Sequence, residues 1–237
     1  MPGRRSASPD RGLDSAVRRA DPDRWLSSRL IADPAARADV VALYAFDHEL
    51  ARAQGVASNA LVAEMRLVWW RETLDGIFGE GVVRRHPGAE SLATAIRGRG
   101  LRREPFEAMI DARVARLDQP VLDLTEALGW ADDVGGSVCR LAADILDPDA
   151  SSAAMTPAGR LWGLTVLLRQ GGVPREALAG IMPPLIEEAS RAAARVSADA
   201  FPALAHVALA RPEWSGAHSS PLEKRVRLLW AAARGRI

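Results

Sequence analysis

Four times in this chain a helix-capping residue is followed at once by proline: Asp21-Pro22, Asp33-Pro34, Thr156-Pro157 and Ser220-Pro221. A capping side chain accepts a hydrogen bond from an orphan N–H of the first turn. Proline, which has no N–H, leaves none unsatisfied at the first helical position. Each pair therefore reads as a helix start. Between them the apolar residues recur with a helical period. Val40, Leu43, Tyr44 and Asp47 stand at i, i+3, i+4 and i+7, the aspartate being a polar interruption. Leu61, Met65, Val68, Trp69 and Ile77 read as one face of a second helix, and Phe106, Ile110, Val114 and Leu117 as a third. Val134, Val138, Leu141, Ile145 and Leu146 belong to a fourth, and Leu161, Leu164, Val166 and Leu168 crowd a fifth that reads as buried nearly all round. No strong strand alternation competes. The pattern predicts an all-α chain with helices near 23–30, 34–53, 59–79, 88–98, 104–117, 123–146, 157–170, 174–197, 199–210 and 221–234.

With 237 residues the chain can build one sizeable core and is short for two domains. Residues 1–20, rich in Pro, Ser, Gly and Arg, read as a flexible tail, and residues 21–237 as a single helical bundle domain. The 31 basic residues against 30 acidic ones leave a net charge of +1, which argues against a nucleic-acid partner held by bulk charge. Cys139 stands alone, and His48, His86, His206 and His218 lack ligand spacing, so neither a disulfide nor a zinc site is expected. No run approaches the ~18 apolar residues of a membrane span, and the N-terminus lacks an apolar signal core. The chain reads as cytoplasmic.

Several stretches then line up in order with a known family. Ala42-Leu43-Tyr44-Ala45-Phe46 resembles the lead into the first aspartate-rich helix of the squalene/phytoene synthases. Residues 66–77, Arg-Leu-Val-Trp-Trp-Arg-Glu-Thr-Leu-Asp-Gly-Ile, resemble that family's arginine, double-tryptophan, arginine helix. Residues 105–118 and 130–138 resemble its helix ending in Asp-Leu and the glycine-containing helix that follows, and 162–169 match more weakly. The resemblance spans roughly residues 22–235 and implies an isoprenoid-synthase-like bundle.

It also implies a chemistry. In the family, two Asp-x-x-x-Asp helices face each other across a pocket, and their carboxylates hold Mg²⁺ against the diphosphate of a prenyl substrate. Mg²⁺ requires such hard oxygen ligands. Here the first motif reads Asp47-His48-Glu49-Leu50-Ala51-Arg52-Ala53-Gln54-Gly55, with Ala51, Arg52 and Gly55 where the family places aspartates. The second should follow Leu168-Arg169, but the chain continues Gln170-Gly171-Gly172-Val173-Pro174. The expectation is a pseudoenzyme, with no catalytic residue, no metal ligand and no cofactor. It resembles the family's non-catalytic branch, which includes a mitochondrial assembly factor for respiratory complex I. That branch implies a membrane-protein or respiratory-complex partner and, if the cavity is retained without metal, a lipid or prenyl ligand. The alternative is an active head-to-head prenyl transferase using Mg²⁺ through displaced ligands. A blander alternative is a helical interaction module with no small-molecule site.

Other acidic pairs offer substitute ligands by spacing alone. Asp10 and Asp14 have the right spacing but flank Gly12 in the expected tail. Glu107 and Asp111 suit a solvated face or ion pairs to Arg103 or Arg113. Asp144, Asp147 and Asp149 suit turns. Tyr44, Phe46, Trp69, Trp70 and Trp162 are candidates to line a cavity, expected between helices 59–79 and 157–170, although tryptophans at helical spacing are more often core. Arg66, Arg71, Asp75, Asp111, Arg113 and Asp118 are candidates for a charged cluster, with an Arg71–Asp75 pair at i, i+4 as the plain reading. Gly135 and Gly136 suit close helix approach. On the last helix Leu222, Val226, Leu229 and Trp230 share one face. That face suits core packing, and it also suits a partner or an anionic membrane surface.

Overall fold

The computed structural model describes residues 9–56, 60–79, 81–150, 152–217 and 219–237. Among these there is no strand. The helices are α1 (Pro9–Ala20), α2 (Pro22–Ser28), α3 (Pro34–Val56), α4 (Ala60–Phe78), α5 (Pro87–Arg99), α6 (Glu104–Ala115), α7 (Leu124–Ala131), α8 (Ser137–Leu146), α9 (Ser152–Arg169), α10 (Met182–Ala193), α11 (Ala210–Trp214) and α12 (Pro221–Arg234).

Three of the four cap-proline pairs start helices as expected. Asp21 accepts from the Arg24 N–H at 3.0 Å, and Asp33 accepts from Ala35 and Ala36. Ser220 and Glu223 form a reciprocal capping box. The fourth pair does not. α9 begins at Ser152, and Pro157 lies in its second turn, where one backbone bond is forfeited but the flanking turns continue. Residues 9–20, assigned from sequence to the tail, form α1, and Val17 anchors it in the core. Residues 1–8 and His218 lie outside the described residues, as do the surroundings of Asp10 and Gly55.

The expected helix at 174–197 is broken. A 3-10 turn (Arg175–Leu178) precedes α10, which starts at Met182 because the adjacent Pro183 and Pro184 fit the first turn, where no intrahelical N–H is lost, and would break the ladder further in. The segment 199–210 becomes 3-10 turns at Phe201–Ala203 and Ala205–Leu209 before α11, again at prolines. The single helix expected over 123–146 is interrupted by a π-helical turn at Asp132–Gly136. Such turns splay the ladder and recur at functional sites.

α3 is the central post, with every residue from Val40 to Phe46 buried. α1, α2, α4, α5, α6 and α8 pack around it. α9 lies against the π-helical turn and α7 at a close backbone-to-backbone approach, with Arg160 of α9 forked onto Asp132 of the turn. A Cβ at Gly135 would sit 2.2 Å from the Gly159 carbonyl oxygen and 2.8 Å from the Gly163 nitrogen, so only glycine permits this approach. At Gly136 an added Cβ would meet only the Arg140 side chain, at 3.0 Å.

One apolar face is turned opposite to expectation, and on α12 the core reading of the apolar face does not hold. On α4 the buried stripe is Ala63, Leu67, Trp70, Leu74 and Ile77, while Leu61, Met65 and Val68 point outward. Ile77 is sixteen residues beyond Leu61, roughly 160° around the helix, so the two never shared a face. On α12 the core takes Leu228 and Ala231, and Leu222 (68% exposed), Val226 (56%), Leu229 (60%) and Trp230 (59%) face away from it.

Candidate functional site

A cavity of about 440 Å³ opens between α2, α3, α6, the π-helical turn and α9. It does not lie against α4, where the sequence suggested it. Its apolar wall is Trp130, Val134, Gly135, Val138, Trp162 and Val166. Ala51 of α3 faces it, and Gln170 stands at its edge just after Arg169. These are the two stretches in which the family resemblance places the first and second acidic motifs.

Asp47 is the centre of the polar side. The carboxylate arrives on α3 one turn beyond Leu43 and Tyr44, on a face that is otherwise apolar, and is buried. One oxygen accepts from Arg24 Nη2 at 2.5 Å and the other from Arg113 Nη2. Arg24 also pairs with Asp21, the cap of its own helix, and lies 5.1 Å above the Tyr44 ring. Arg113, on the inner face of α6, donates to the Met109 carbonyl at 2.9 Å. Burial alone would raise the Asp47 carboxyl, but the Arg113 and Arg24 guanidiniums outweigh it and hold it below the ordinary carboxylate range. Arg24 is desolvated yet held above its usual value by Asp21 and Asp47. Arg113, also desolvated, shares one of those carboxylates and feels the like charge of Arg24, so it is pushed down.

The mouth carries a second charge-paired cluster. Asp23 accepts from Arg169 Nη2 at 3.0 Å and from Lys224 Nζ at 2.8 Å, and Arg169 also forks onto Glu213. The cavity's carboxylates are Asp21, Asp23, Asp47 and Glu213, and each already faces a guanidinium or ammonium. Mg²⁺ wants several unshared oxygen ligands with waters around them. This donor set does not fit it. Among the described residues no three His, Cys, Asp or Glu side chains converge as a metal-ligand group, in the cavity or outside it.

Behind the apolar wall, His206 is fully buried with both ring nitrogens unpartnered, 4.7 Å edge-on from Trp162 and 6.4 Å from Tyr44. Burial, then the Arg24 charge, drives its pKa down to about 3. The Trp130 and Trp162 indole nitrogens and the Tyr44 hydroxyl are likewise buried without a partner.

Of the aromatic candidates only Trp162 lines the cavity. Tyr44 lies beneath Arg24, outside the lining. Phe46 points the other way, edge-on to Trp70 at 5.1 Å and to Phe106 at 5.6 Å. Trp69 and Trp70 close that second cluster with His86 and border only a shallow hollow of about 190 Å³. The charged candidates divide too. Arg113 belongs to the buried triad. Arg71 pairs with Asp111, and Asp75 with Arg103, across α4 and α6, in place of the Arg71–Asp75 pair expected along one helix. Glu107 takes the other fork of Arg103 at 2.8 Å. Asp14 pairs with Arg29. Asp147 accepts from the Asp149 N–H and from Ser197 Oγ, a turn role as expected. Arg66 and Asp118 are exposed and make no ion pair among the described residues.

Arg24, Trp130, Arg169, Lys224 and His206 escaped the sequence reading. Asp47 carried a signal, since a carboxylate on an otherwise apolar helix face must find a buried cation. Nothing in the sequence said which.

The family model for squalene/phytoene synthase matches residues 17–173. Complex I assembly factor 6 of Bos taurus is 30% identical over 165 residues, 68% of this chain and 48% of that protein. The human factor is 28% identical over 158 residues, and the Dictyostelium discoideum homolog 26% over 158. The chain thus spans about half the length of these relatives. Among solved structures, a dehydrosqualene synthase superposes with a TM-score of 0.76 at 16% identity, covering 95% of both chains. A squalene synthase from Alicyclobacillus acidocaldarius gives 0.63 at 16%, covering 96% of this chain and 94% of that one. These likenesses establish the fold.

Proposed function

The chain belongs to the squalene/phytoene synthase family, and we propose that within it this protein has given up Mg²⁺-dependent prenyl transfer and acts as an assembly or scaffold factor for a respiratory complex of the complex I type. The observation that carries the reading is the buried Arg24–Asp47–Arg113 triad. It neutralises a carboxylate on the cavity side of α3 with guanidiniums fixed in the fold, so Asp47 has no oxygen to spare for a metal. In this reading Ala51, Arg52 and Gly55 stand where the family places its first aspartates, and the segment of the second motif is deleted after Arg169, with Ala51 and Gln170 left at the cavity. The names of the relatives support the assembly role. The retained cavity, apolar on one wall and charge-neutral on the other, suits a lipid or prenyl chain bound without metal. In this reading the protein is cytoplasmic and works at a membrane-embedded partner. No helix among the described residues is long and apolar enough to cross a membrane itself.

Thermal melting with farnesyl diphosphate, with and without Mg²⁺, tests the catalytic half. A ligand that binds only the folded state adds about 2.7 kcal/mol at a hundredfold excess over its Kd. The reading expects no shift that depends on Mg²⁺, and a clear Mg²⁺-dependent shift would overturn it. Deleting the gene in its own organism and resolving the respiratory complexes tests the other half. Assembled complex I should fall, and a normal level would refute the assembly role.

A further inference from the structure

We propose that the outward face of α12 docks the protein on an anionic lipid surface. At roughly 100° per residue, Leu222, Val226, Leu229 and Ala233 project within an arc of roughly 60°, opposite Leu228 and Ala231, which seat the helix on α2 and the Ala205–Leu209 turn. The stripe is therefore not a misplaced core face. The core already has its own side of this helix, and the exposed residues form a second apolar side. Trp230 borders the stripe, with the Arg234 guanidinium stacked 3.9 Å from its ring centroid.

The charges flanking the stripe select the occupant. Arg225 stands on one flank and Arg234, beyond Trp230, on the other, with Arg227 further round the helix, and none makes an ion pair among the described residues. The one acid of the helix, Glu223, is folded back into the capping box and accepts from the Ser220 N–H at 2.7 Å. Lys224 is turned inward to Asp23. A second copy of the chain laid on this face would bring arginine flanks against arginine flanks. A bilayer surface with anionic headgroups offers acyl chains to the stripe and phosphates to both flanks at once. This is the pattern of a helix lying in the interface plane, with an aromatic ring at headgroup depth. The inference stands on α12 alone and does not depend on the fate of the cavity.

The test is co-sedimentation of the full chain with vesicles of equimolar phosphatidylglycerol and phosphatidylcholine, against vesicles of phosphatidylcholine alone. The protein should pellet with the anionic vesicles and release as salt is raised. Arg225→Gln should weaken partitioning roughly fivefold, the effect of one arginine near a charged surface. The double variant Val226→Gln, Leu229→Gln should abolish pelleting while the melting temperature stays within a degree or two of the parent, since both side chains are more than half exposed. Failure of the parent chain to pellet with anionic vesicles would overturn the proposal. So would undiminished pelleting of the double variant. A concentration-dependent dimer that the double variant abolishes, without vesicle binding, would assign the face to a second copy and overturn it equally.

Discussion

His206 makes the stability of this protein depend on pH in a way that can be worked out in advance. In the folded chain the imidazole is sealed against Trp162 and Tyr44 with no hydrogen-bond partner on either nitrogen, and it stays neutral down to about pH 3. In the unfolded chain it titrates near its ordinary value of about 6.5. Between those two values the unfolded chain binds a proton that the folded chain refuses. The contribution is therefore complete above about pH 6.5 and is lost as pH falls. Linkage gives a loss of about 2 kcal/mol between pH 7.5 and pH 5, and about 3 kcal/mol by pH 4. The perturbation is His206→Phe, which keeps an aromatic ring in the site and removes the titration. The backbone bond from the residue 206 N–H to Ser27 Oγ does not involve the side chain. Urea melts of the parent and the variant at pH 7.5 and pH 5 give a double difference. Carboxylates common to both proteins cancel in it, apart from Asp21, whose charge the imidazole feels. The parent should lose about 2 kcal/mol more than the variant on going to pH 5. Parallel losses, equal within a few tenths, would mean that the folded imidazole is protonated or hydrated at pH 5 and that the sealed site is wrong.

Two further outcomes follow from packing and charge. Asp47→Asn strips the carboxylate from between Arg24 and Arg113 and should cost about 3–5 kcal/mol in urea melts; a cost below about 1 kcal/mol would show that water reaches the triad. Gly135→Ala places a methyl against the backbone of Gly159 and Gly163 and should cost about 3 kcal/mol, the upper end for overpacking, because no side chain can move aside. Gly98→Ala, in α5 with open space around it, should instead stabilise by roughly 0.4–1 kcal/mol. Similar effects at the two glycines would refute the backbone contact.

The helices were legible because their determinants are local. A cap, a proline and a 3.6-residue period act within a few residues of each other, and α3, α5, α6 and α12 emerge close to their expected bounds. Where local signals misled, a neighbour had decided. Thr156-Pro157 has the form of a helix start, but residues 152–155 already coil ahead of it, and buried Ala154 and Met155 hold that turn against the core. The apolar residues of α4 gave the helix correctly and its orientation wrongly, and those of α12 left its orientation open, since each helix has two apolar sides and only packing shows which one the core takes. The site was the least legible part. That Ala51 and Gln170 stand where the resemblance places acidic motifs could be read directly. The Arg24–Asp47–Arg113 triad could not, because its members are 23 and 66 residues apart in pairs. Only the fold of α2 and α6 around α3 brings them together.

The glycine seam between the π-helical turn and α9 has a consequence for how the cavity can vary. Behind the lining on that wall, Gly135 and Gly136 meet Gly159 and Gly163 backbone to backbone, with no side chain at those four positions to trim. The distance between these two segments is thus a constant of the chain trace. The lining side chains, Ala51 and His48 on α3 and Val134, Trp162 and Val166 on the glycine side, can be enlarged or reduced one residue at a time. A library that varies lining and seam equally should yield folded members almost entirely from the lining, so the capacity of the cavity is set by its side chains and never by the spacing of the seam.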